Sequence, residues 1–127
     1  MATLKTNTLT GTSTAGSIAV TGEGNSTTTN LQQGLAKMWA NVDGTGTAAL
    51  DDSFNASGLT DNGTGDFTVA INNDMSNADY SCQFNGNSAH VGLTAIATGS
   101  LQVFVTAAND SRHDVDPVTY TAHGDLA

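Results

Sequence analysis

Positive charge is what this sequence has least of. Lys5, Lys37 and Arg112 are the only permanent cations, against twelve acidic residues, and the formal net charge at pH 7 is −9. Nucleic-acid binding draws on clustered Lys and Arg that displace phosphate counterions. Three scattered cations do not supply that, and adhesion to an anionic membrane surface fails on the same ground. Neither nucleic acid nor membrane is therefore an expected partner. Cysteine is reduced to Cys82, which leaves nothing for it to pair with inside the chain. Its place between Tyr80 and Phe84, on the apolar side of an alternating run, reads as a small buried hydrophobe and not a reactive thiol. Proline and tryptophan occur once each, at Pro117 and Trp39. No apolar run approaches the roughly 20 residues of a membrane-spanning helix. The first residues carry Lys5 without the apolar stretch of a secretory signal, so synthesis and residence in the cytoplasm are expected until release.

What fills the chain instead is Thr, Asn, Ser and Gly, with charged residues at 12% and hydrophobic residues at 38%. These four are weak helix formers, and the composition lacks the charge density or proline content of disorder. Period-two alternation recurs along the chain, the mark of half-buried strands. Met38, Ala40 and Val42 alternate with Lys37, Trp39 and Asn41. Phe67, Val69 and Ile71 alternate with Thr68, Ala70 and Asn72, and Tyr80, Cys82 and Phe84 with Ser81, Gln83 and Asn85. In the strand over His90 to Ala97, Val91, Leu93 and Ala95 are expected on one face. Leu101, Val103 and Val105 line a strand apolar on both sides, fit for a central position. Pro117 starts the last strand, with Val118, Tyr120 and Ala122 inward.

Turn chemistry separates these runs. Asp43-Gly44-Thr45-Gly46, Asp61-Asn62-Gly63-Thr64-Gly65 and Asn85-Gly86-Asn87 are turn signals, the last a strong hairpin signal. Ala48 to Leu50 reads as a short strand ending in a polar corner at Asp51-Asp52. Asn72 to Ala78 reads as a loop of about six residues, a common hairpin length. The fold class is thus all-β, a small antiparallel β-sandwich (jelly-roll-like) over residues 31–127. It opens with one helical turn at 31–36 capped by Asn30. Residues 1–30 form an extended N-terminal arm whose main apolar side chains, Leu4, Leu9, Ile18 and Val20, are too sparse for a core of their own. They are the candidate attachment residues.

The stretch DDSFNASGLTDNGTGDFTV, with the acidic loop and NADYS after it, resembles a module of tail-fibre and other virion proteins of marine tailed phages. GLAKMWANVDGTG (34–46) is similar to the segment that opens that module, DVDPVTYTAHGD (114–125) to its last strand, and ATLKTNTLTGTSTAG to its Thr/Asn-rich leaders. The resemblance implies a homotrimeric, non-enzymatic structural protein exposed on a virion: a capsid decoration or a short head or tail fibre. Its implied partners are further copies of itself and, through the arm, a major capsid or tail protein. Trimerisation also fits the modest apolar content, because it buries more surface and covers edge strands.

Candidate chemistry is thin. Gly22-Glu23-Gly24 and Gly63-Thr64-Gly65 read as turns, since neither opens a helix with a third glycine in place. His90, His113 and His123 lack metal-ligand spacing. Asp61, Asp66, Asp114 and Asp116 offer oxygen ligands without the spacing of a calcium loop. No cofactor, metal or catalytic residue is expected, and no nucleophile-elbow motif is present. The Asn-x-Ser/Thr triplets at Asn25, Asn55, Asn62 and Asn109 follow from composition. The alternative to a purely structural role is a host-glycan-binding module. In that reading Lys37, Trp39 and Asn41 share one strand face, and Trp39 stacks on sugar.

Overall fold

The computed structural model describes residues 3–13, 18–22, 24, 26–87 and 89–127. Glu23 and Asn25, and with them the middle of the Gly22-Glu23-Gly24 turn, lie outside the described residues. The chain divides into two compact units, Met1–Leu35 and Ala36–Ala127.

In the first unit, β1 (Ala19–Thr21) pairs antiparallel with β2 (Thr28–Asn30). The single helical turn α1 (Leu31–Gly34) follows directly. Asn30 caps it as the sequence leads one to expect: its Oδ1 accepts the backbone N–H of Gln32 at 2.8 Å and of Gln33 at 3.3 Å. The Leu31 N–H donates to Ile18 O at 2.8 Å, which ties the turn back to the hairpin. The helical turn thus belongs with the leader, and the second unit begins at Ala36.

The second unit is a β-sandwich of two four-stranded antiparallel sheets. The first sheet holds β3 (Met38–Asp43), β4 (Ala49–Phe54), β7 (Ser81–Gly86) and β10 (Val118–His123), in the order β4-β3-β10-β7. The second holds β5 (Ala56–Gly63), β6 (Asp66–Ile71), β8 (His90–Ala97) and β9 (Ser100–Thr106), in the order β5-β6-β9-β8. Eight strands in two sheets match the count of a jelly roll. Three connections, β3–β4, β5–β6 and β8–β9, stay within a sheet as hairpins.

The core is the layer between the sheets. Met38, Ala40, Val42, Val118, Tyr120 and Ala122 meet Phe67, Val69, Ile71, Leu101, Val103 and Val105, all buried. These are the inward sets that alternation predicts for β3, β6, β9 and β10. Complete burial of one such aliphatic or aromatic side chain stabilises by about 1.5–3 kcal/mol. β9 is central, as its apolar character on both sides requires. Cys82 packs against this core half-buried, and that burial raises its thiol pKa.

Several connections differ from the sequence-based expectation. The segment between Ile71 and Ser81 is no hairpin: β6 pairs with β5 and β9, and β7 pairs with β10. The chain crosses between sheets there, with Met75 buried and its N–H bonded to Thr98 O at 2.9 Å. Asn85-Gly86 likewise ends β7 and leads to β8 in the opposite sheet. Asn-Gly chemistry reverses the chain, but it does not decide which sheet receives the next strand. Asp51 and Asp52 are not a corner. They lie inside β4, where a bulge between Asn41 and Val42 absorbs one extra residue of an exposed edge strand. Another irregularity, between Leu93 and Ala95, splits the register of β8. Val91 and Ile96 therefore pack on the core, while Leu93 and Ala95 are exposed.

Candidate functional site

The outer face of the first sheet is built from residues that alternate with the core set. Trp39 stands opposite Phe54 on β4 and opposite Thr121 on β10, and Thr121 stands opposite Gln83 on β7. One row along, Asn41 stands opposite Asp52 and Thr119, and Thr119 opposite Asn85. Directly paired residues project to the same face. The face is therefore a lawn of amides and hydroxyls with two aromatic rings at one side. Trp39 is 37% exposed and Phe54 is 53% exposed.

Of the three residues the sequence proposes for this face, the structure keeps two together. Lys37 precedes β3, donates its backbone N–H to Ala122 O at 2.8 Å, and is only 7% exposed. It offers no open charge beside Trp39. Phe54 takes its place, a residue that alternation within a single strand cannot assign to Trp39. Asn41 is half-buried, and its Oδ1 is enclosed without a hydrogen-bond partner.

Carboxylates collect at the end of this sheet. Asp43 Oδ1 accepts the Thr45 hydroxyl at 2.6 Å and the Thr45 N–H at 2.7 Å. Those bonds, the hydroxyl first, hold its carboxyl below the ordinary aspartate range. Asp116 is shifted upward, by lost hydration and then by the charges of Asp43 and Asp51.

The second sheet carries a different arrangement around Gly65, the last glycine of the TDNGTG turn. Gly65 is buried with φ of 60°. Its N–H donates to Asp114 Oδ1 at 2.7 Å, and its carbonyl accepts Val105 N–H at 2.9 Å and Arg112 Nη1 at 2.8 Å. Next to it, Asp66 Oδ1 accepts Gln102 Nε2 at 2.7 Å and Asn62 Nδ2 at 3.2 Å, with Arg112 Nη1 3.7 Å from Oδ2. The Arg112 guanidinium lies 4.9 Å from the centre of the Phe104 ring. The motif that dominates the sequence is thus a structural hub that fastens the 107–117 loop to the sheet. Three of the four aspartates offered as oxygen ligands are bonded within the protein: Asp66 and Asp114 as above, and Asp61 to the Gly63 N–H at 2.9 Å. His90 lies on β8, His123 on β10 and His113 in the loop between β9 and β10. Among the described residues no group of three or more His, Cys, Asp or Glu is placed to hold a metal ion.

In the first unit, Leu4 is 77% exposed, Leu9 and Val20 about half exposed, and Ile18 half-buried. A cavity of about 230 Å³ is lined by Val20, Thr29, Asn30, Leu31, Gly34 and Leu35. The charges of residues 1–35, Lys5 and Glu23, cancel, so the whole net charge of −9 belongs to residues 36–127. No helix among the described residues is long and apolar enough to cross a membrane. Compared with known proteins, the chain matches no family model, no curated protein and no solved structure.

Proposed function

We propose that this chain is a non-enzymatic structural protein of a tailed-phage virion, a short homotrimeric knob or fibre on the particle surface. The leader attaches it to a major capsid or tail protein, and the sandwich faces solvent. The observation that carries the reading is the division of labour along the chain. A neutral leader exposes Leu4, Leu9 and Val20, while the sandwich concentrates the negative charge on hydroxyl- and amide-rich surfaces. Exposed leucines on a segment of zero net charge gain free energy by burial against a partner. A strongly acidic outer domain keeps crowded copies soluble and apart. The resemblance of DDSFNASGLTDNGTGDFTV and DVDPVTYTAHGD to virion modules supports the same reading.

Immunogold electron microscopy of intact virions, with an antibody to residues 36–127, tests it. Label over the head makes the chain a decoration or head fibre, and label on the tail makes it a tail-fibre part. Purified particles without label overturn the proposal. The doubly substituted chain Leu4→Asp/Leu9→Asp is expected to drop out of particles while remaining folded.

The Trp39–Phe54 pair favours a second reading, a module that binds host surface glycan. Its test is saturable binding of the recombinant chain to host cells.

A further inference from the structure

We propose that the β3–β4 side of the first sheet's outer face is a binding site for a neutral glycan, with Trp39 and Phe54 as its stacking platform. The inference rests on the glycan reading above and is independent of where the chain sits in a particle. The two rings project from directly opposed positions of neighbouring strands. Such positions hold their Cβ atoms about 4.5–5.5 Å apart, so both rings edge the same strip of the face, and each is open to solvent. A pyranose has an apolar C–H face and a rim of hydroxyls. Laid on the strip, it shields aromatic carbon with the first and presents the second to flanking polar groups.

The flanking groups are the right kind. Thr121 is opposite Trp39, and Asn41 lies two residues along the same strand. Asn41 Oδ1 is enclosed without a partner, and an enclosed acceptor without a donor is costly. Rotation of that amide outward to a sugar hydroxyl relieves the cost.

Charge selects among glycans. Asp52 is opposite Asn41, and the sandwich carries the full −9. A uronate or sialate carboxylate is repelled from this face, whereas a neutral sugar is not. The same facts argue against a second copy of the chain as occupant. Beyond the two rings the paired rows are polar, unlike the apolar centre of a stable subunit interface.

The test uses the full chain on an array of neutral glycans built from hexoses, deoxyhexoses and N-acetylhexosamines, printed beside uronate- and sialate-containing glycans. Any retained glycan is titrated by calorimetry and by Trp39 emission, which reports this face alone because the chain has one tryptophan. Saturable binding of a neutral glycan with a change in Trp39 emission is expected. Phe54→Ala should weaken it about tenfold at an unchanged unfolding midpoint, and Thr121→Glu, a second variant on the same face, should weaken it at least as much. Retention of anionic glycans alone overturns the neutral assignment and leaves the glycan reading standing. Neutral binding that leaves Trp39 emission unmoved and ignores both substitutions overturns the site. Retention of nothing overturns both.

Discussion

Asn55 is bonded to the residue that leads into β3, Lys37: its Nδ2 donates to the Lys37 carbonyl at 2.9 Å, from a backbone whose φ is 58°. The same nitrogen also lies 3.1 Å from Asn73 O, and its Oδ1 accepts the Asn73 N–H at 2.8 Å. Asn55 stands between Phe54, the end of β4 in one sheet, and Ala56, the start of β5 in the other. One side chain therefore fixes the corner where the chain changes sheets. Asn is among the few residues that adopt this left-handed conformation readily. Asn55→Ala is expected to cost about 2 kcal/mol, from backbone strain and the stranded carbonyls. Asn55→Gly should cost about 1 kcal/mol less, because glycine removes the strain and not the lost bonds. Urea midpoints of the two variants check the order, and the reverse order refutes this account of the corner.

Gly65 and Gly46 share a positive φ, 60° and 62°, and differ in their surroundings. A Cβ at Gly65 would stand 2.5 Å from Val105 O and 2.9 Å from His113 N, both backbone atoms, whereas nothing lies near one at Gly46. Gly46→Ala should lose about 1 kcal/mol for conformation alone. Gly65→Ala must also push the hairpin off β9, and a loss above about 3 kcal/mol is expected. Thermal unfolding of both proteins gives the comparison, and equal losses would contradict the hub.

Asp116 and Asp43 pull acid stability in opposite directions. Asp43 has a lowered pKa in the fold, so its contribution is present above the unfolded value and is lost as pH falls through the folded one. The pKa of Asp116 is raised, so it favours the fold while protonated. That advantage is lost as pH rises from the unfolded aspartate value, about 3.9, through the folded one. Asp116→Asn is accordingly expected to raise the melting temperature at pH 7. The gain should shrink in high salt and vanish near pH 2, where the native side chain is neutral too. A gain that is independent of pH would assign the effect to something other than charge.

Tyr80 governs the alkaline limb. Its hydroxyl donates to Ala97 O at 2.8 Å, and burial, with a smaller effect of Cys82, pushes its pKa up to about 12. Burial also raises the pKa of Tyr120, whose hydroxyl has no partner inside the core. A raised folded pKa gives stability that is whole below the unfolded value near 10. That stability is lost as pH climbs from there through the folded value. Wild type should therefore lose stability steeply between about pH 10 and 12, and Tyr80→Phe should flatten part of that fall. Denaturation at stepped pH measures it.

The core strands were legible because alternation is a local signal: Met38-Ala40-Val42 and Phe67-Val69-Ile71 announce their faces without reference to any partner. The bulges were not. The extra residue in β4 and the slip at Thr94 depend on what the neighbouring strand does, and no window of sequence contains both strands. The same limit hid Phe54 from the binding face. Phe54 follows Asp51 and Asp52 in a run that reads as a corner, and only the β3–β4 register brings it beside Trp39. Lys37 erred the other way, since alternation placed it on an open face and tertiary packing covers it. Turn residues revealed where the chain reverses, but not whether it returns to the same sheet.

The place of β10 between β3 and β7 bears on synthesis as well as on stability. Without β10, β7 has no sheet partner, and β3 keeps only β4. The first sheet thus waits for residues Val118–His123 to leave the ribosome, while the β5–β6 and β8–β9 hairpins can form as they emerge. Contacts that span nearly the whole domain slow folding. A nascent or truncated chain stopped short of β10 exposes two unmated strand edges and half a core, in the form most readily seized by aggregation or proteolysis.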